Sequence, residues 1–161
     1  MTHTPERPRH DPHTFVIEIP EALTQETFLD VFSLNALQPQ AAPRRLRYAD
    51  IEVLSRRLEV PTVTLLKLLN ISESTYHTKK KERRDLAGET ARDLLRLARV
   101  TQATETVYGD ELAKAHLWLS RPRVTLGSAG HPRSPLEFAL LPGGEAYITN
   151  YLGQMQHGIS P

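Results

Sequence analysis

Five cationic side chains within six residues offer the clearest chemistry in the sequence, and short polar side chains precede them. The cations are Lys79, Lys80, Lys81, Arg83 and Arg84. The polar residues are Ser72, Ser74, Thr75, His77 and Thr78. Cations contact phosphate oxygens and supply affinity without sequence information, whereas short polar side chains on a helix can read base edges in a major groove. The pattern predicts DNA binding by all ten residues, and a solvated basic edge on a helical hairpin is the alternative.

The residues around this run predict two short helices joined by a tight turn. An apolar helix, Val63 to Leu69, is followed by Asn70-Ile71-Ser72. Asparagine tolerates the left-handed conformation that ends a helix, and Ser72 can cap the next helix, Glu73 to about Lys80. Such a pair is typical of a helix-turn-helix, which we place at roughly residues 50–81.

The first helix of this unit is predicted to be capped by Asp50, and Tyr76 is expected to pack inward from the third. Lys79 departs from the pattern, because such motifs usually keep an apolar residue there.

Net charge is only +1, but the charges are unevenly distributed along the 161 residues. Residues 1–43 contain two Arg and six acidic residues, residues 44–100 contain fourteen Lys or Arg and eight acidic residues, and residues 101–161 contain four and five. A basic middle segment between acidic flanks indicates a module that binds a polyanion.

The remainder of the chain predicts an all-α fold in three parts: an arm over 1–43, a DNA-binding unit over 44–105 and a smaller helical unit over 106–161. A helix from Leu86 to about Tyr108 ends at Gly109, and Asp110 caps another through Leu119. A loop is expected from Val124 to Pro132. A capping box at Ser134–Glu137 then starts a short helix, and Glu145 to His157 is the last helix.

The N-terminal arm is proline-rich over residues 1–20, which favours disorder, and residues 21–37 predict a short amphipathic helix. We expect His3, His10 and His13 to be solvated and to bind no metal. No cysteine is present, and no apolar run is long enough for a membrane span, so the sequence indicates a cytoplasmic protein.

Enzymatic chemistry finds little support. The glycines at 127, 130, 143 and 144 do not lie between a strand and a helix, as a phosphate-binding loop requires. There is no zinc-protease motif, no paired carboxylates near a histidine, and no nucleophile elbow. We expect no catalytic residues and no cofactor. His116 is interpreted as a structural histidine, and helical spacing favours core packing for Trp118, Tyr147 and Tyr151.

Residues from about 45 to 161 resemble the Xre/MbcA/ParS-type antitoxins, whose partners are RES-domain toxins. The features that carry the resemblance, in order, are Leu69–Tyr76, Leu94–Val100, Tyr108-Gly109, Ala115, Trp118-Leu119, Pro122, Leu126-Gly127, Pro135-Leu136, Gly144, Ala146 and the terminal segment Leu152–Gly158. Two positions depart from the family pattern: Ser128 follows Gly127 where a second glycine is usual, and Arg133-Ser134-Pro135 replaces Gly-Thr-Pro after a short insertion.

The resemblance implies an antitoxin that dimerises, represses its own operon through operator DNA, and inhibits an NAD-degrading toxin. The toxin-binding set would comprise Trp118, Tyr147 and Tyr151, with Gly158, Ile159, Ser160 and Pro161 blocking the active-site cleft. A plain helix-turn-helix regulator, whose C-terminal helices only dimerise, is the alternative.

Overall fold

The computed structural model describes residues 45–128 and 131–158, which form seven helices and one short hairpin. The helices are α1 Tyr48–Arg57, α2 Thr62–Leu68, α3 Glu73–Lys81, α4 Gly88–Tyr108, α5 Leu112–Ser120, α6 Pro135–Ala139 and α7 Gly144–Gln156. The strands are β1 Arg123–Ser128 and β2 His131–Arg133. Of the described residues, 68% are helical and almost none lie in strands, so the mostly helical class predicted from sequence is confirmed for this part of the chain. The predicted arm, the helix over 21–37 and the last three residues of the tail lie outside the described residues.

Helices α1, α2 and α3 all end in the same way. The residue after each C-cap, namely Glu59, Asn70 or Arg83, has a positive φ of 54–55°. In each case two backbone N–H groups then bond back to carbonyls of the last turn, as Arg83 N does to Lys80 O and Arg84 N to Lys79 O, both at 3.0 Å. This Schellman arrangement satisfies carbonyls that the helix leaves free. It therefore permits three helices in quick succession with short connections.

The chain enters and leaves this three-helix unit side by side. The Leu86 N–H donates to the Leu46 carbonyl at 2.7 Å, and the Tyr48 N–H donates to the Arg84 carbonyl at 3.3 Å. Both leucines are buried. The unit is thus closed by a short antiparallel contact directly after α3.

Helix α4 is the longest helix described, and it connects the three-helix unit to the C-terminal helices. It ends at Gly109, where φ is 57°, as the sequence predicted. Its buried stripe includes Thr101 and Thr104, whose hydroxyls donate to carbonyls four residues earlier at 2.7 and 2.8 Å. The domain boundary drawn from sequence at 105/106 falls inside the last turn of this helix.

Helices α5, α6 and α7 pack against α4 and one another to form the second unit. The predicted capping box is confirmed: the Ser134 N–H donates to Glu137 Oε2 at 2.6 Å, and the Glu137 N–H donates to Ser134 Oγ at 3.2 Å. Helix α7 begins where a Cβ on Gly144 would overlap the carbonyl group of Phe138. Only glycine allows α6 and α7 this close approach.

Three local predictions are wrong. Asp110 does not cap α5, because that helix begins at Leu112 and its N-cap is Glu111. The expected loop at Val124–Pro132 instead includes an antiparallel hairpin, in which Arg123 pairs with Arg133 and Ser128 with His131. Its second strand has three residues, all exposed, so it shows no alternating pattern. Asp50 does not cap α1 from outside. It lies within the first turn, and its carboxylate accepts a hydrogen bond from the Arg47 N–H at 2.6 Å.

Buried apolar residues from both units form one continuous core, which runs from Leu46 to Leu152. Among the described residues, no helix is long and apolar enough to cross a membrane.

Candidate functional site

The first turn of α3 presents an ordered row of polar side chains. Ser72 caps the helix, since its Oγ accepts from the Thr75 N–H at 3.1 Å and donates to Thr75 Oγ1 at 2.8 Å. The five polar residues predicted to read bases are all exposed: Ser72, Ser74, Thr75, His77 and Thr78. The structure therefore leaves all five exposed on a well-capped helix, on the sides that Tyr76 does not occupy.

Tyr76 fixes the rotation of α3 about its axis. Its side chain is buried, as predicted, and only 3% of the residue is exposed. Its hydroxyl points at Glu52 Oε2 of α1, 3.5 Å away. Because an aromatic anchor in mid-helix leaves one orientation for its neighbours, the polar residues on either side of it are held outward.

Lys80 is paired with an acidic residue of the same chain. Its ammonium group forms a salt bridge with Glu52, and it lies 5.5 Å from the centre of the Tyr76 ring. The hydrogen bond between the two groups lowers the pKa of Glu52 and raises the pKa of Lys80. Lys80 thus joins α3 to α1. Sequence reasoning missed this, because the two residues are 28 positions apart and no local pattern links them.

The other four predicted cations divide into two kinds. Arg84 Nε lies 3.0 Å from Glu82 Oε2, in an exposed pair that water screens. Within 45–128 and 131–158, Lys79, Lys81 and Arg83 form no ion pair. Lys79 is half-buried and the other two are exposed. Three cations at the C-terminal end of α3 therefore carry charge that the described residues do not neutralise, and such a group attracts a polyanion.

The aromatic residues predicted to bind a toxin occupy different environments. Trp118 is 6% exposed and lies between the Arg123 guanidinium, 5.3 Å from its ring, and Tyr151, whose ring stacks on it at 6.0 Å. Tyr151 is half-buried. Tyr147 is 49% exposed and contacts Phe138. Trp118 is therefore a core residue of the free chain, and Tyr147 is the member of this set with a broad free surface.

The tail begins at Gly158, which is exposed and has a φ of 68°. A positive φ turns the chain away from the axis of α7, and glycine adopts it without strain. Ile159, Ser160 and Pro161 lie outside the described residues.

A partly buried carboxylate connects the two units. Glu105 on α4 accepts hydrogen bonds from Arg57 Nε of α1 at 2.9 and 3.1 Å, and it lies 2.8 Å from His116 Nε2 of α5. Burial alone would raise the pKa of Glu105, but the hydrogen bonds from Arg57 and His116 outweigh it and hold that pKa below its usual value. His116 therefore has the structural role that its sequence context suggested. Arg57 and Glu105 are 48 residues apart, and no sequence signal pairs them.

No protein-family model matches the chain, and no curated protein matches it.

Proposed function

We propose that this chain is an antitoxin in two parts, in which α1–α3 bind operator DNA and the unit around α5–α7 binds a RES-domain toxin. The observation that carries the first half is α3 itself. This helix and the residues directly after it combine a buried tyrosine anchor, exposed polar side chains and three cations that form no ion pair with the described residues. The second half rests on the family resemblance of residues 45–161.

The arrangement of α2 and α3 supports a helix-turn-helix. Three residues, Asn70 to Ser72, follow the C-cap Leu69 of α2 and lead directly into α3, and Ile71 packs on the core. Residues at the start of a recognition helix contact bases, while cations near its other end contact the backbone. Ser74, Thr75 and His77 would then discriminate sequence, and Lys79, Lys81 and Arg83 would supply affinity.

Salt dependence tests the DNA-binding half. Replacing Lys79, Lys81 and Arg83 with Gln should flatten the slope of log K against log salt by about 2.7, at about 0.9 per lost phosphate contact. Fluorescence anisotropy with the promoter DNA of the chain's own operon measures it.

A matched control variant distinguishes phosphate contacts made by α3 from the general effect of net charge on DNA binding. Lys114, Arg121 and Arg133 replaced with Gln change the charge equally but lie outside α3, so the slope should stay as in the unaltered chain. An equal effect of both variants would show that the interaction is not made by α3.

Exposed apolar side chains on the second unit support a protein partner there. Leu112 on α5 is 47% exposed, Leu117 on the same helix is 45% exposed, and Leu141 follows α6. Together with Tyr147 they offer apolar area of the sort that protein interfaces bury. Four tail residues cannot supply an interface of about 1,600 Å². They span about 13 Å when extended, enough to enter a cleft.

Removing Gly158–Pro161 tests the toxin-binding half. Toxin association should weaken only modestly, because the helices provide most of the area, while NAD consumption by the complex returns. An NAD-depletion assay on the purified complex with full-length and shortened antitoxin measures the change, and DNA binding should be unaffected. A shortened complex that stays intact and fully inhibited would assign inhibition to the helical surface instead.

A further inference from the structure

Helix α3 is attached to the rest of the fold by few apolar contacts. Of its nine residues, only Tyr76 is buried. Lys79 stands where such a helix usually keeps a second apolar residue. One buried side chain holds a helix at one point along its length, so the C-terminal half of α3 needs a contact of another kind.

Glu52 on α1 provides that contact. Its Oε2 atom accepts a hydrogen bond from the Lys80 ammonium group and lies 3.5 Å from the Tyr76 hydroxyl oxygen. Tyr76 and Lys80 are four residues apart, so they are neighbours on the same side of α3. One carboxylate therefore binds α3 at two points one helical turn apart, which restricts both the rotation and the tilt of α3 relative to α1.

The other oxygen of Glu52 is paired within α1. Oε1 lies 3.6 Å from Nη2 of Arg56, one turn later on the same helix. The hydrogen bond from Lys80 lowers the pKa of Glu52, so the carboxylate is charged at neutral pH. Glu52 is thus held by α1 at one oxygen and holds α3 with the other.

Stability alone does not account for the pair. The side chains of Glu52 and Lys80 are 33% and 39% exposed, and water screens ion pairs that are this accessible, so they add little to stability. The pair also places an acidic group beside the basic run and neutralises one of its cations, which weakens the attraction of a polyanion. A contact that adds little stability and reduces this attraction is explained if it positions α3.

Position matters most for the polar residues that would contact bases. Ser74 and Thr78 are each two residues from Tyr76, or about 200° around the helix, so they lie on the side of α3 opposite to α1. Groups that bind through directed hydrogen bonds must be held within about 0.5 Å of their productive positions. Lysine contacts with phosphates tolerate more movement, because the side chain is a point charge on a flexible stem. Loss of the contact with α1 should therefore reduce discrimination between sequences more than total affinity.

We propose that Glu52 is a positioning residue for sequence recognition by α3, and that Lys80 binds Glu52 and not a DNA phosphate. Glu52 acts through Tyr76 and Lys80 and contacts no DNA itself. The inference rests on the DNA-binding function proposed above, and it names the residue on which the selectivity of that function depends.

The same substitution at three neighbouring lysines tests the role of Lys80. Fluorescence anisotropy gives the affinities of each variant for the promoter DNA of the chain's own operon and for an unrelated duplex of equal length. Lys79→Gln and Lys81→Gln should each flatten the salt slope by about 0.9 and leave the ratio of the two affinities unchanged. Lys80→Gln should leave the slope unchanged and lower the ratio about tenfold, the contribution of about one base contact.

Glu52→Gln tests the positioning role. It should also lower the ratio about tenfold, and adding Lys80→Gln should lower it no further, because the two residues act through one contact. A variant that is only destabilised would lose affinity for both duplexes equally, so the ratio would not change. Glu111→Gln is the matched control. It removes the acidic partner of Lys114 at the start of α5, outside α3, and should change neither the ratio nor the slope.

Three results would overturn the proposal. A flatter slope with Lys80→Gln would show that Lys80 contacts a phosphate. An unchanged ratio with Glu52→Gln would show that the pair does not position α3. A ratio that falls about a hundredfold in the double variant would show that the two residues act separately.

Failure of the proposed DNA-binding function would look different. The unaltered chain would then bind both duplexes equally, and Lys79→Gln and Lys81→Gln would leave the slope unchanged. That result would overturn the function and this inference together, whereas the three results above leave the function in place.

Discussion

Helices α3 and α5 are each anchored by one buried aromatic residue, but the side chains that they expose differ in chemistry. Tyr76 anchors α3, whose outward side chains are polar or cationic. Trp118 anchors α5, whose outward side chains include two leucines close to half exposed. A polar and cationic face suits a polyanion, whereas a face with exposed apolar side chains suits a protein. The same packing device therefore presents two surfaces fit for different partners.

Glu105 makes these two regions one structure. It receives Arg57 from α1 and contacts His116 on α5. The two surfaces therefore belong to one packed structure but remain chemically separate.

Trp118→Ala gives the largest expected effect. Removal of a buried tryptophan should lower the free energy of unfolding by about 3 to 5 kcal/mol, because it leaves a cavity between Arg123 and Tyr151. Urea denaturation followed by circular dichroism measures the loss. Tyr147→Ala, on the exposed side of α7, should cost less than about 1 kcal/mol. Equal costs for both variants would contradict the division between core and surface.

Glu105→Gln should cost about 2 kcal/mol, since charged hydrogen bonds from Arg57 are lost. The pKa of Glu105 is lower in the folded chain than its ordinary value of 4.5. The stability that its charge contributes is therefore fully present above pH 4.5 and is lost as the pH falls through the folded pKa.

Acid unfolding measures this dependence. The unaltered chain should lose more stability than the Glu105→Gln variant as the pH falls below 4.5. Glu89→Gln, which removes a solvent-exposed carboxylate on the same helix, should leave that difference in place. If the unaltered chain and the Glu105→Gln variant respond identically to acid, the charge of Glu105 does not stabilise the contact between α1, α4 and α5.

Local signals in the sequence predicted the parts of the fold that depend on few neighbouring residues. Gly109 ended α4 and the Ser134 capping box started α6 as expected, because each needs only residues within one turn. The pairing of Lys80 with Glu52 could not be read in this way, because α1 and α3 meet only after the turns between them form. The hairpin was not predicted for a different reason: β2 has no buried face and therefore no alternating pattern of apolar residues.

For the same reason, the sequence predicted which residues of the candidate site are exposed but not which of its cations form ion pairs. Exposure of Ser74 or His77 follows from helical spacing once Tyr76 is placed inward. The ion pairs of the basic run do not follow, because Lys80 and Arg84 have acidic partners, whereas Lys79, Lys81 and Arg83 have none in the described chain. Partner choice depends on tertiary contacts that no single helix contains.

Glycine substitution at two matched helix ends gives the smallest expected effect and the sharpest comparison. Glu59 after α1 and Arg83 after α3 are both exposed, and their φ values are 55° and 54°. A side chain in this conformation is strained, so Glu59→Gly and Arg83→Gly should each raise the free energy of unfolding by about 1 kcal/mol. Thermal denaturation measures both gains.

The two variants should differ in DNA binding. Arg83→Gly removes one proposed phosphate contact and should flatten the salt slope by about 0.9, whereas Glu59→Gly should not flatten it. A stability gain in both variants with a binding loss in only one would mean that Arg83 is retained for its charge at some cost to the fold. If Arg83→Gly binds DNA as tightly as the unaltered chain, and with the same slope, the basic end of α3 is a solvated surface and the proposed contact there is wrong.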